Sequence, residues 1–188
     1  MAPELIVVGA SLGGTHALSI VLRALPPGFP ASLVIAQHRA RDAPSTLDSF
    51  FQLYCALPVC EVVDKAPIVP AHVYLAPADY HVLVEASSLA LSTEAPVIHA
   101  RPSIDVLFES AADAYAERTI GVVMTGASQD GAQGLARVKQ RGGLAIVQSP
   151  DTAQCPVMPK AAIAATQVDW ILPLAEIGPR LVSLCCAS

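Results

Sequence analysis

Ser11 lies in a glycine-rich turn that directly follows a strongly apolar segment. The turn reads Gly9-Ala10-Ser11-Leu12-Gly13, and the segment before it is Leu5-Ile6-Val7-Val8. A sharp bend between a buried strand and a helix projects a serine hydroxyl past the end of the strand, where nucleophilic serines stand. The same turn also suits a serine that caps the helix or a loop that holds phosphate. The choice depends on whether a base and a carboxylate accompany the serine.

Two further polar side chains follow other apolar, strand-like segments. Residues 32–37 lead into His38, and residues 120–124 lead into a polar turn that contains Asp130. In open α/β sheets, ligands bind beyond the carboxyl ends of the strands, so these side chains are expected at one rim with Ser11. A serine hydroxyl needs an imidazole to take its proton and a carboxylate to orient that imidazole. The sequence therefore predicts a catalytic triad of Ser11, His38 and Asp130.

Each member of this triad also has an ordinary interpretation when taken alone. A histidine that closes a strand often serves as a polar cap, and Asp130, which precedes Gly131, is placed to cap the helix that follows. The three coincide at one sheet edge, which favours catalysis. The chain order Ser, His, Asp differs from the order Ser, Asp, His of the α/β-hydrolases, so that fold is not implied.

The elements that must position these residues alternate between strand and helix patterns. Strand-like runs occupy residues 4–8, 32–37, 120–124, 144–148 and 169–172. Apolar stripes at helical spacing follow the serine turn and follow Ser103, which is placed as an N-cap. Shorter strands occupy 73–75, 80–85 and 89–92, the last two around a turn at 86–88. We predict an α/β fold: a three-layer, doubly wound, mostly parallel sheet with a β-hairpin insertion.

Composition restricts the function classes. Hydrophobic residues make up 53% of the 188 residues and charged residues 14%, which is typical of a sheet covered on both faces. The net charge of −5 leaves little from which to build a phosphate-binding surface, so no nucleic-acid partner is expected. No apolar run approaches the roughly 20 residues that a membrane span needs, and the chain begins without a signal-peptide pattern, so we expect a cytoplasmic protein without membrane insertion.

The remaining histidines and the cysteines show no metal-binding pattern. The five cysteines include no C-x-x-C pair, and no histidine stands at ligand spacing from another. We expect neither a metal nor a cofactor. Of the other polar residues, His99 and Arg101 are placed nearest the predicted rim, and Arg101 is a candidate for binding substrate, although it could equally anchor its own loop.

Several separated motifs, in one order along the chain, carry a resemblance to a known family. They are Gly9-Ala10-Ser11-Leu12-Gly13-Gly14, Gln37-His38, Tyr74-Leu75-Ala76-Pro77, the segment from Arg101 to Phe108, the segment from Thr125 to Gly131, Gly134, and Met158-Pro159-Lys160. The chain resembles, from Glu4 to near its end, the catalytic domain of CheB-type protein-glutamate methylesterases, a bacterial chemotaxis family.

The resemblance implies hydrolysis of glutamate γ-methyl esters on the cytoplasmic helices of chemoreceptors, to carboxylate and methanol, sometimes with deamidation of receptor glutamine. It implies the same Ser11, His38 and Asp130 triad. Leu12 and Ala127 depart from the residues common in the family, but their backbone N–H groups can still form an oxyanion hole, because that role does not depend on the side chain.

Known family members also carry a receiver domain, whereas here we expect one catalytic domain over residues 1–188.

Two alternative functions remain open for this fold. A nucleotide-binding module would use the same turn to hold phosphate, although a G-x-G-x-x-G fingerprint is absent. A catalytically silent, receptor-binding domain would also accommodate the substituted residues beside Ser11.

Overall fold

Strands and helices alternate along most of the chain in the computed structural model, which describes residues 2–43 and 45–186. The strands are β1 (Leu5–Ala10), β2 (Ser32–Gln37), β3 (Val59–Glu61), β4 (Ala66–Pro67), β5 (Val73–Leu75), β6 (His81–Val84), β7 (Ser88–Ser92), β8 (Thr119–Val123), β9 (Leu144–Gln148) and β10 (Trp170–Leu172). The helices are α1 (Gly14–Arg23), α2 (Leu47–Gln52), α3 (Ile104–Tyr115), α4 (Ala132–Gln140), α5 (Val157–Ala165) and α6 (Leu174–Cys185).

The main sheet has seven strands in the order β10-β9-β8-β1-β2-β5-β3, and all neighbouring pairs are parallel. Strand β1 lies between β2 and β8 and is buried along its whole length. Parallel strands buried on both faces are built from continuous apolar runs, as in Leu5-Ile6-Val7-Val8. The carboxyl ends of β1, β2 and β8 therefore meet at the centre of one edge.

Helices cover both faces of this sheet, which gives three layers. One apolar core joins the sheet to α1, α2 and α6, through residues such as Leu18, Phe51 and Leu181. A second core joins the opposite face to α3, α4 and α5, through residues such as Phe108 and Leu135. The predicted doubly wound α/β fold is confirmed, and so is the helix that begins after Ser103.

The predicted hairpin is present as β6 and β7, and β4 extends it into a separate three-stranded sheet. One placement was wrong: residues 73–75, grouped with the insertion from their short length, form β5 of the main sheet. Strand β3 joins the same sheet beyond β5. The main sheet therefore has two strands beyond β2, namely β5 and β3, which the sequence pattern did not place there. The loops after β2 and β5 flank the rim.

Candidate active site

Ser11 stands directly after β1, in a turn held by backbone contacts on both sides. Its N–H donates to the carbonyl of Thr125 (2.9 Å), and its carbonyl accepts from the N–H of Gly14 (2.8 Å). Helix α1 has Gly13 at its N-cap, at a φ of 82°, and no side chain caps it. Ser11 therefore does not act as the helix cap that its sequence context also allowed.

His38 is the neighbour of Ser11 across the sheet. Ala10 and Gln37 are register partners on the parallel strands β1 and β2, and the N–H of His38 donates to the carbonyl of Ala10 (2.9 Å). The side-chain amide of Gln37 donates to the carbonyls of both Ser11 and His38 (2.9 Å each). One buried amide thus ties together the two segments that carry the predicted nucleophile and base.

Asp130 is fully buried and accepts hydrogen bonds on both carboxylate oxygens. Oδ2 lies 2.7 Å from His38 Nε2 and 2.7 Å from the N–H of Ile104. Oδ1 accepts from the hydroxyl of Ser103 (2.8 Å) and from the N–H of Asp105 (2.9 Å). The carboxylate therefore sits on the N-terminus of α3, where backbone N–H groups and the helix dipole favour negative charge.

The environment keeps Asp130 ionised despite its burial. Burial alone would raise the pKa of this carboxyl, but the hydrogen bonds from His38 and from the start of α3 outweigh that effect and hold the pKa below its ordinary value. Asp130 precedes α4, whose N-cap is Gly131, and its carboxylate binds His38 and α3. The anionic carboxylate of Asp130 accepts a hydrogen bond from His38 Nε2–H, so Nδ1 carries no proton when the ring is neutral.

Within the described residues, the His38 side chain makes a hydrogen bond with Asp130 and none with Ser11. The ring nitrogen left for Ser11 is Nδ1, because Nε2 is engaged by the carboxylate. In the protease triads that define this chemistry, the two nitrogens have the opposite roles. Hydrogen bonds between catalytic groups are frequently long before substrate binds. The adjacency of Ser11 and His38 is therefore judged from the pairing of the strands that precede them.

Neither the N–H of Leu12 nor that of Ala127 donates to a backbone carbonyl within the part of the chain that the structure describes. A Cβ built on Gly126 would lie 2.8 Å from the Cβ of Ser11, so the segment before Ala127 approaches the serine closely. This approach requires glycine at position 126. Both predicted oxyanion donors are therefore on loops next to Ser11.

A cleft of ≈ 540 Å³ opens beside His38. His99 and Arg101, the two residues predicted to be near substrate, both line it, together with Arg41, Asp79 and Ser128. Arg101 donates to Asp79 (3.0 Å from Nε) and to two loop carbonyls (2.8 and 2.9 Å). These hydrogen bonds anchor the loop that carries Arg101. Arg101 also lines the cleft, and its role in substrate binding stays a prediction.

Sequence reasoning missed several residues that position the site. His81 is 2% exposed, and its Nδ1 accepts from the N–H of Ser103 (3.1 Å). The hydroxyl of Thr125 donates to the carbonyl of Leu12 (2.9 Å) and accepts from the N–H of Cys155 (2.9 Å), which joins the serine turn to the loop before α5. A local sequence pattern carries no signal of such long-range contacts.

Across residues 2–43 and 45–186, no three His, Cys, Asp or Glu side chains are grouped so that they could hold a metal ion. In the same ranges, no helix has the length and apolar character that crossing a membrane requires.

Comparison with known proteins gives the class. The fold is an α/β domain with a cleft lined by residues that follow parallel strands, and the family model described as CheB methylesterase matches residues 6–181. The crystal structure of the Thermotoga maritima CheB methylesterase catalytic domain superposes with a TM-score of 0.94 at 31% identity, covering 98% of this chain and 100% of that one. The chain belongs to the CheB methylesterase family.

Two relatives show how the chain relates to whole proteins of that family. A Leptospira interrogans relative is 41% identical over 182 residues, which is 96% of this chain and 94% of the relative. The protein-glutamate methylesterase/protein-glutamine glutaminase of Bordetella parapertussis is 40% identical over 187 residues, 96% of this chain but only 53% of that protein. The chain thus spans nearly all of one relative and about half of the other. The resemblance seen in the motifs is confirmed.

Proposed function

We propose that this chain is a serine hydrolase that demethylates glutamate γ-methyl esters on the cytoplasmic helices of chemoreceptors, releasing methanol. The observation that carries the proposal is the 2.7 Å distance between His38 Nε2 and Oδ2 of buried Asp130. Ser11 lies at the same rim, because Ser11 and His38 directly follow Ala10 and Gln37, which are register partners on β1 and β2. A serine beside an imidazole that a carboxylate orients is the arrangement that activates a hydroxyl. Family membership supports the ester as substrate. The protein would act in the cytoplasm, where those receptor helices lie.

In this mechanism, the hydroxyl of Ser11 gives its proton to His38 Nδ1 as its oxygen attacks the ester carbonyl. The N–H groups of Leu12 and Ala127 receive the negative charge that develops on the carbonyl oxygen, and each such donor is worth roughly 10²- to 10³-fold in rate. His38 then returns the proton to the departing methoxide, which leaves as methanol. Asp130 stabilises the imidazolium between these two transfers.

Deacylation repeats the same steps with water. His38 takes a proton from a water molecule, the resulting hydroxide attacks the acyl-serine, and Ser11 leaves with the proton that His38 returns. The product is a glutamate carboxylate. The Bordetella relative is also named a glutaminase, and attack of Ser11 on a glutamine amide would follow the same path with ammonia as leaving group.

Methanol release from a methylated receptor tests the proposal. Ser11→Ala should fold normally and release no methanol above background, because only the nucleophile is lost. Ser183→Ala, at an exposed position of α6, is the matched control and should retain wild-type activity. Undiminished release by Ser11→Ala would refute the mechanism.

The two alternative functions are separated by binding and labelling. A nucleotide-binding module would bind dinucleotides or nucleotides tightly in calorimetry, and the proposal predicts no such binding. A catalytically silent domain would not react selectively at Ser11 with a fluorophosphonate.

A further inference from the structure

A carboxylate from the segment just before α4 binds the N-terminus of α3, and a carboxylate of α3 binds the N-terminus of α4. Asp130, just before α4, accepts from N–H groups at the start of α3, those of Ile104 and Asp105. Asp105, in the first turn of α3, accepts on Oδ1 from the N–H groups of Gly131 (2.9 Å) and Gly134 (2.7 Å) at the start of α4. The two helix N-termini are therefore joined by a reciprocal pair of buried carboxylates.

Helix α4 depends on this exchange because it has no cap of its own. Its N-cap residue is Gly131, at a φ of 100°, and no side chain of the N-cap binds the first turn. A Cβ on Gly134 would lie 2.6 Å from the Cβ of Phe108 and 3.0 Å from the Cα of Asp105, so the helices are in close contact there. The carboxylate of Asp105 takes the place that an N-cap oxygen normally fills.

We propose that Asp105 is a positioning residue for the reaction, which fixes the carboxylate of Asp130 and, through it, the ring of His38. The inference rests on the proposed function of the triad. Residue 105 holds Asp130 from two sides: its N–H binds the side chain of Asp130, and its own carboxylate binds the N–H of Gly131, the next residue. Rotation of the Asp130 side chain away from His38 would break the first contact, and a shift of the backbone after Asp130 would break the second.

The negative charge of Asp105 is electrostatically unfavourable at this buried position. Asp105 is 6% exposed. Burial and, to a smaller extent, the charges of Asp130 and Glu109 raise the pKa of its carboxyl, the N–H groups of Gly134 and Gly131 lower it, and the net result is a pKa of about 6. The other titratable groups nearby are His81, behind Ser103, and His38, beyond Asp130. An uncharged acceptor such as asparagine would hold the same two N–H groups without this burden.

Two substitutions separate position from charge, and a third provides the control. Asp105→Ala removes the acceptor, whereas Asp105→Asn keeps an acceptor oxygen and removes only the charge. Asp113→Asn makes the same change at the exposed end of α3, where Asp113 contacts Arg137 of α4 (2.7 Å). It therefore alters a contact between the same two helices, far from His38 along α3.

The assay is methanol release from a methylated receptor as a function of substrate concentration and pH. Asp105→Ala should lower kcat by about 10- to 100-fold while KM changes less than about 2-fold, because a small misplacement of a catalytic group mainly affects the transition state. Asp105→Asn should keep most of kcat but move the acid limb of the pH profile to lower pH, since a negative charge that favours the imidazolium is lost. Asp113→Asn should match the wild type in both.

A readout that needs no activity is the downfield proton resonance of the hydrogen bond between His38 and Asp130. We expect it to shift or broaden in Asp105→Ala and to stay in place in Asp113→Asn. Wild-type kcat in folded Asp105→Ala, with the resonance unmoved, would overturn the inference and leave the proposed function intact. If Asp105→Ala does not fold, Asp105→Ser takes its place, because the shorter side chain also withdraws the acceptor from Gly131 and Gly134. Wild-type kcat with an unmoved resonance in that variant would overturn the inference.

Failure of the proposed function would be recognised separately. A wild-type protein that releases no methanol would refute the hydrolase assignment. The resonance would then decide alone whether Asp105 positions Asp130 and His38: an altered signal in Asp105→Ala supports the positioning role, and an unaltered one refutes it.

Discussion

Replacing Asp105 by asparagine should stabilise the protein at neutral and alkaline pH. The carboxyl of Asp105 has an ordinary pKa of 3.8, and burial first, then the charge of Asp130, raises it to about 6 in the folded state. An acid whose pKa is raised by folding stabilises the folded state below its ordinary pKa, and this contribution is lost as the pH rises through the folded value. The wild type therefore loses stability between about pH 4 and pH 6 on account of this group.

The magnitude follows from the shift. One pKa unit corresponds to 1.36 kcal/mol, so the full effect above pH 7 is about 3 kcal/mol. Part of this loss of stability is already present at pH 4, so the further loss between pH 4 and pH 8 is about 2 kcal/mol. Asparagine is spared this loss because it has no charge, and its amide oxygen can still accept from Gly131 and Gly134.

Urea unfolding of both proteins at pH 4, 6 and 8 measures the effect. Comparing the two proteins at each pH cancels the groups that they share. The stability of Asp105→Asn relative to the wild type should grow by about 2 kcal/mol across this range, with most of the change at or below pH 6. A difference that does not vary with pH would show that Asp105 is not held at a raised pKa, and it would refute the electrostatic reasoning.

Two further substitutions test other parts of the site. Asp130→Asn should lower kcat about 10⁴-fold, because an amide N–H facing His38 Nε2 forces the proton onto Nδ1, the nitrogen that must accept from Ser11; normal turnover in this variant would contradict the assignment of the two ring nitrogens. Gln37→Met should lower kcat about 10-fold or more, because the side-chain amide no longer holds the carbonyls of Ser11 and His38. Gln140→Met makes the same change of residue type at an exposed position of α4 and is the control.

The sequence was sufficient to predict the part of the site that depends on local pattern and parallel pairing. The apolar runs that become β1, β2 and β8 are continuous enough to recognise, and their ends carry Ser11, His38 and the turn with Asp130. Because parallel neighbours end at the same edge, adjacency of Ser11 and His38 follows from strand order alone. Ser103 was recognisable as an N-cap for the same local reasons.

The remainder depends on contacts between residues that are distant in sequence. Residues 73–75 are too few for periodicity to show which sheet they join, and pairing with β2 decides it. Asp105 lies between apolar positions of an amphipathic helix and resembles a solvent-facing residue, yet the packing of α4 against α3 buries it. The use of Nε2 for Asp130 is likewise set by how the loops after β2 and β8 meet.

Labelling with a fluorophosphonate, followed by peptide mass spectrometry, tests the central claim most directly, because the reagent reports a serine that has an activating base. We expect modification of one residue, Ser11, and a large loss of labelling when His38 is replaced by glutamine in a folded protein. Modification spread over several serines, or labelling of Ser11 that persists unchanged without His38, would contradict it.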